Sequence, residues 1–153
     1  MKGKTVKESA VEIAHILRPA DLNAAERLFG GTLLAWIDEA GYMVAKRHSN
    51  KNMTTFSINN LKFLHGAFLH DIIVLKGKAT FVGNTSMEVK VESYVEHLDG
   101  SRNLVNVAYL TFVAIDDNGR PSQIPELILE TDEEKTEWEH AKARREFSMA
   151  QKD

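Results

Sequence analysis

The chain has 153 residues, a size for one domain with one substantial core, and its 43% hydrophobic and 27% charged residues are those of an ordinary globular protein. A formal net charge of -3 gives no general attraction to nucleic acid, and the absence of cysteine excludes a disulfide framework, a thiol nucleophile and a thiolate metal site. No apolar run approaches the roughly 18 residues of a membrane span, and the charges spaced through MKGKTVKESAVEIAHIL leave no signal-like apolar stretch, so a cytoplasmic protein with no membrane or nucleic-acid partner is expected.

Residues 8–17 read as a first strand, which Pro19 ends in a loop carrying Asp21 and Asn23. A helix is predicted from Gly31, where Leu33, Ile37, Ala40, Gly41 and Val44 recur at steps of three and four. Leu34, Trp36 and Tyr42 make its other faces apolar too, the mark of a buried helix. The period then changes to two. Strands are expected at 53–63 and 72–82, and in the next one Met87, Val89, Val91 and Val95 alternate with Glu88, Lys90, Glu92 and Glu96, one face on a core and one in water. Residues 104–115 are apolar on both parities and read as a central strand, joined to its predecessor by a hairpin at Asp99-Gly100. Asp117-Asn118-Gly119 and Pro121 end the sheet, and Thr131 with Glu134 forms a capping box for a charged helix at 132–147 anchored by Trp138. The pattern predicts an α+β domain, an antiparallel sheet of about five strands over one helix, at residues 1–130, with a C-terminal surface helix and tail at 131–153.

Two features of the stretch NAAERLFGGTLLAWIDEA demand an explanation. Gly30 and Gly31 stand at the helix mouth, where free backbone N–H groups and about half a positive charge collect; the pair either exposes those donors to an anionic oxygen or only makes a tight entry to the helix. Asp38 is a carboxylate on a helix expected to be buried, where an unpaired charge costs several kcal/mol, so it must be paired or face a wet cleft. Glu39, about 100° round the helix, is expected to face solvent.

Asp21-Leu22-Asn23, Phe29-Gly30-Gly31 and Asp38-Glu39-Ala40-Gly41, followed by Phe63-Leu64, Gly83-Asn84-Thr85-Ser86-Met87-Glu88-Val89, the run LTFVAID at 110–116, and Gly119, Pro121 and Pro125, stand in one order. Over roughly residues 17–127 this pattern resembles the hot-dog fold acyl-CoA thioesterases, the cytosolic acyl-CoA hydrolase branch. The resemblance implies a curved sheet wrapped round one long helix, homodimers that often assemble as trimers of dimers, active sites at the pairing interface, and hydrolysis of acyl-CoA thioesters. It places the catalytic acid on Asp38, the catalytic asparagine on Asn23, and the CoA site on Gly83, Asn84, Thr85 and Ser86. Without it, that last stretch would read as a plain β-turn.

The chemistry agrees with these assignments. Thioester hydrolysis needs an activated water or a carboxylate nucleophile, and donors for the oxyanion; no metal or other cofactor is required, CoA being part of the substrate. Gly31 and Asp38 are seven residues apart, roughly 10 Å along a helix, while both groups must come within about 3 Å of the reacting atoms. Composite sites therefore follow, with Asn23, Gly30 and Gly31 of one subunit facing Asp38 of another. Lys142, Arg144 and Arg145 could meet nucleotide phosphates but read first as a solvated charged face.

Two positions depart from the family pattern: Glu26 stands where many relatives have glycine, and Gly66 where many have proline. Rival functions find less support. No histidine lies within the body of the expected helix, where a dehydratase normally uses one, His65 and His70 could bind a metal in principle but read first as isolated surface residues, and there is no Gly-x-Ser-x-Gly elbow. An acyl-CoA sensor without turnover is the remaining alternative, and it would have no need of a buried acid.

Overall fold

The computed structural model describes residues 1–59 and 61–151. Along the chain run β1 (Lys4–Thr5), α1 (Val6–Ser9), β2 (Val11–Ile16), α2 (Gly30–Ser49), β3 (Asn52–Asn59), β4 (Ile72–Val82), β5 (Ser86–Glu96), β6 (Arg102–Ile115), β7 (Leu127–Ile128) and α3 (Asp132–Ala150). Strands β2 to β6 form one antiparallel sheet in the order β2-β4-β5-β6-β3, curled round α2 in the expected hot-dog arrangement. The fourth strand has the expected bounds, and Gly100 closes the β5-β6 hairpin with φ of 87°, a conformation that favours glycine.

Several element ends differ from the sequence expectation. The first sheet strand starts at Val11 rather than residue 8 because Thr5 and Glu8 cap each other: Thr5 Oγ1 accepts from the Glu8 amide (3.3 Å) and Glu8 Oε1 from the Thr5 amide (3.1 Å), closing a one-turn helix. The third strand stops at Asn59, and of the predicted extension Asn60 lies outside the described residues while 61–63 run off the sheet. The capping box on α3 is half made. Thr131 Oγ1 accepts from the Glu134 amide at 3.1 Å, but Glu134 Oε1 takes the Glu130 amide instead. The helix continues to Ala150; Lys152 and Asp153 of the predicted tail lie outside the described residues. A two-residue parallel ladder, β1 with β7, has no counterpart in the sequence pattern.

The core lies between α2 and the concave face of the sheet. Leu33, Ile37, Ala40, Gly41, Val44 and Ala45 form the buried stripe of α2, and Gly41 lets it close on β6, since a Cβ there would sit 3.0 Å from Leu110 Cδ2. The helix is not buried all round, as its apolar faces suggested. Gly31, Ala35 and Glu39 are exposed, and Leu34, Trp36, Asp38 and Tyr42 are half-buried, because a single sheet covers one side of a cylinder.

On the opposite, convex face of the sheet lies α3. Strand β5 presents Met87, Val89 and Val91 to the core, so Ser86, Glu88 and Lys90 point the other way. That face was expected to meet water, yet Arg144 grips Glu88 through Nε (3.0 Å) and Nη2 (2.7 Å), Glu137 holds Lys90 at 2.7 Å, and Trp138 packs on Phe81 at 5.0 Å.

Near its C-terminus α2 carries the fully buried His48, whose Nε2 lies 2.8 Å from Pro125 O, while Nδ1 has no partner among the described residues. Burial holds its pKa below the ordinary value; the Pro125 bond and Glu8 oppose this shift and Lys4 adds to it. The folded value lies below the unfolded one, so as pH falls through about 6.5 the unfolded chain takes up the proton first, and stability present above that pH is lost down to the folded pKa. Urea titrations at pH 7.5 and 5.5 should show the wild type losing stability between them and His48→Gln losing less; parallel curves would refute the assignment.

Candidate active site

The loop before α2 is a miniature hairpin. Leu22 bridges Leu28, the Asn23 amide donates to Arg27 O (2.8 Å), and the Phe29 amide donates to Asp21 O (2.8 Å), which sets Asp21 beside the helix N-cap and Asn23 opposite Arg27 in the turn that leads into the helix. Within this turn Asn23 Oδ1 accepts from the Ala25 amide (2.9 Å) and the Arg27 amide (3.2 Å). The acceptor half of the side chain is thus occupied, and Nδ2, with no acceptor among the described residues, is the half left to serve a ligand. The turn requires Glu26 at φ of 61°.

At the helix mouth Phe29 is the N-cap and supplies no side-chain cap. Its carbonyl accepts from Thr32 (3.0 Å) and Leu33 (3.1 Å), so the Gly30 and Gly31 amides are the helix's first free donors. The glycines do not leave the backbone bare, as expected from the sequence. A Cβ on Gly30 would lie 3.3 Å from Phe63 Cζ, and one on Gly31 only 2.7 Å from Phe29 Cε2. Both glycines therefore make room for phenyl rings.

Two turns further on, the half-buried Asp38 accepts a hydrogen bond at Oδ1 from Thr55 Oγ1 (2.8 Å). Thr55 lies on β3, an edge strand paired among the described residues only with β6 and bulged between Thr55 and Ser57. The acid needed a partner, and the sequence reading did not find it. The signal was available: Thr55 shares its parity with buried Met53, which puts a hydroxyl on a core-facing position. Glu39 is exposed, as expected.

The Gly83–Ser86 stretch is a turn at the end of β4, pinned through its carbonyls: Asn84 O accepts from Ile124 (2.8 Å), Thr85 O from Ala114 (2.9 Å), and Ser86 O from Gly83 (2.8 Å). Arg145 reaches it from α3, with Nη1 2.6 Å from Ser86 Oγ and its guanidinium against the Phe81 ring. The arginines, expected on a solvated face, are half-buried and divide their roles: Arg144 is spent on Glu88, and Arg145 stands at the turn beside a cavity of about 250 Å³ that Phe56, Ser86 and Met149 also line. Asn23 and the glycines thus belong to one loop-and-helix-mouth unit, Asp38 stands two turns along α2 with Thr55, and the Gly83–Ser86 turn abuts the convex face. Among the described residues no group of three His, Asp or Glu is placed to hold a metal.

The model of the thioesterase superfamily matches residues 26–99. The protein named an uncharacterized acyl-CoA thioester hydrolase, YkhA, of Bacillus subtilis is 40% identical over 129 residues, 84% of this chain and 75% of that one. The mouse cytosolic acyl coenzyme A thioester hydrolase is 30% identical over 92% of this chain, which spans 38% of its length. An acyl-CoA hydrolase from Staphylococcus aureus, solved with butyryl coenzyme A and coenzyme A, superimposes with a TM-score of 0.88 at 32% identity, covering 96% of this chain and 90% of that one. Structures of the same protein carry alanine in place of an asparagine, an aspartate or a threonine, spaced as Asn23, Asp38 and Thr55 are here. An apo-hexameric acyl-CoA thioesterase matches over 100% of both chains, with a TM-score of 0.90 and 33% identity.

The left-handed conformation costs a residue with a Cβ about 1 kcal/mol or more, partly offset by the greater unfolded-state freedom of glycine. Glu26→Gly is therefore expected to leave stability unchanged or raise it by up to about 1 kcal/mol, while Glu26→Val lowers it by about that amount or more. Urea midpoints of the three proteins give the order; a glycine variant less stable than the valine one would contradict it.

Proposed function

We propose, for a chain that belongs to the acyl-CoA thioester hydrolases of the thioesterase superfamily, that it hydrolyses acyl-CoA to free fatty acid and CoA with Asp38 as general base, Thr55 orienting it, and Asn23, Gly30 and Gly31 as hydrogen-bond donors. The observation that carries this reading is the Thr55–Asp38 hydrogen bond at the free edge of the sheet. Thr55 occupies Oδ1, leaving Oδ2 to accept a proton from water. The resulting hydroxide adds to the thioester carbonyl, and the oxyanion takes hydrogen bonds from the helix-end amides, supplemented by Asn23 Nδ2. The C–S bond then breaks, and the CoA thiolate leaves with the proton held by Asp38. An acyl-CoA sensor would gain nothing from a carboxylate held in this way.

Asp38 and Thr55 stand at β3, about 10 Å along α2 from Gly31, so each thioester is served by two subunits. The unpaired edge of β3 and the open face of α2 suit that homodimer, which continues the sheet from one subunit into the next. Trimers of such dimers agree with the hexameric relative. CoA extends from the site over Gly83, Asn84, Thr85 and Ser86, where Arg145 supplies a cation for its phosphates. The setting is cytoplasmic, where acyl-CoA is available and no disulfide is needed.

Thiol release from acyl-CoAs of graded chain length is the direct assay. Asp38→Ala and Asn23→Ala should each lower kcat by about 100-fold or more, and Thr55→Val by about tenfold with little change in KM. Unfolding and refolding the two inactive variants together should restore roughly a quarter of wild-type activity, the share of sites that regain both groups on random pairing. No recovery on confirmed co-assembly would refute the shared site, and wild-type CoA binding without thiol release would leave the sensor.

A further inference from the structure

Phe63 has no part in the chemistry above, yet it is held with more care than a surface ring needs. It lies in the segment that leaves β3 and crosses the mouth of α2, and it is 52% exposed with its Cζ against Gly30; Phe29, 53% exposed, stands in the same way against Gly31. Both rings touch the Cβ side of the glycines, whereas the free amides point along the helix axis. The rings are therefore walls beside the donors and not lids over them.

The segment is clasped on both sides of Phe63. Asn106 Nδ2 donates to Lys62 O at 2.7 Å, and the Leu64 amide donates to Val105 O at 2.8 Å. Asn106 is fully buried on β6, opposite the equally buried Ser93 of β5, in a predominantly apolar core. An amide in that position forfeits hydration and packs no better than leucine, so its retention is explained by the backbone it holds.

We propose that Phe63, with Phe29, forms an aromatic slot at the oxyanion end of α2 that selects acyl groups unbranched at the carbon next to the thioester carbonyl, and that Asn106 is the positioning residue that sets it. This rests on the reading of Gly30 and Gly31 as oxyanion donors. A carbonyl oxygen bonded to those amides at about 3 Å brings the adjoining carbon to the level of the rings. A methylene passes between them, while a second substituent on that carbon must displace a ring.

Butyryl-CoA and isobutyryl-CoA have the same number of carbons and differ at that position alone. The wild type should favour the linear substrate by about tenfold or more in kcat/KM, and Phe63→Ala should cut the ratio to about threefold or less, a range one misplaced methyl can produce. Phe63→Tyr keeps the wall and should keep the ratio. Asn106→Leu should shift the ratio as Phe63→Ala does, with its thermal midpoint read alongside; should that variant not fold, the half-exposed Phe63 pair decides alone. A ratio unmoved by Phe63→Ala, or equal losses on both substrates, overturns the slot while leaving the hydrolase intact. Where the wild type prefers a longer chain, the linear acyl-CoA of that length and its isomer methylated at the carbon next to the carbonyl replace the pair; no thiol release at any chain length overturns the proposed function itself, and the slot with it.

Discussion

The contact between α2 and the concave face of a single sheet is the constraint from which the other features follow. Twenty residues of helix lie against five strands, and the closest approaches are made where side chains are missing: Gly41 faces Leu110 and Phe112, and Gly77 of β4 faces Val44. Filling one side of the helix with Leu33, Ile37, Ala40 and Val44 supplies the hydrophobic stabilisation of the fold. It also leaves the remaining side of the same helix to carry whatever is polar. Asp38 and the glycine mouth are therefore fixed to a helix packed along its length against the sheet, the kind of element on which a precisely positioned site is built.

The convex face solves a different problem. Strand alternation leaves Glu88 and Lys90 pointing away from the core, and α3 covers them with groups of opposite sign. Burial alone would push Lys90 down and Glu137 up, but their mutual hydrogen bond and attraction move Lys90 above and Glu137 below the ordinary values, so both stay charged. Glu88 is satisfied at both oxygens by Arg144, with Thr80 Oγ1 adding a third bond at 2.6 Å. Such pairs contribute more to where α3 sits than to how stable the fold is. The placement matters because one residue beyond Arg144 comes Arg145, delivered to Ser86 by the same docking.

Much of this was legible in the sequence because it rests on local periodicity. The bounds of β4 and the buried stripe of α2 follow from steps of two, or of three and four, and the hairpin follows from the Asp99-Gly100 dipeptide. The β1-β7 ladder was not legible: two-residue strands carry no period, and their partners are more than a hundred residues apart. The strand expected at residue 8 failed because Thr5 and Glu8 offered the backbone a cap that alternation does not report. At the site, Asp38 announced itself as an acid among apolar neighbours, but Thr55 did not, since one threonine in a strand rich in threonine and serine is unremarked until parity is counted. The donor role proposed for Asn23 depends on which half of its amide the turn consumes, and only the folded loop fixes that.

Glu26 joins these levels. Its left-handed backbone closes the turn that consumes Asn23 Oδ1 and sets Phe29 at the helix mouth, so a position where glycine would be easier is tolerated inside the loop that orients the donors. Three of the groups assigned to one thioester, Asn23 and the two glycine amides, are organised by this loop within a single subunit, while Asp38 and Thr55 are organised by the sheet edge. Each half is positioned by hydrogen bonds of its own. In the proposed reading, a fold that builds the donors and the base as two units about 10 Å apart along one helix would place catalysis under the control of subunit pairing, which brings the halves held by different chains to the same carbonyl.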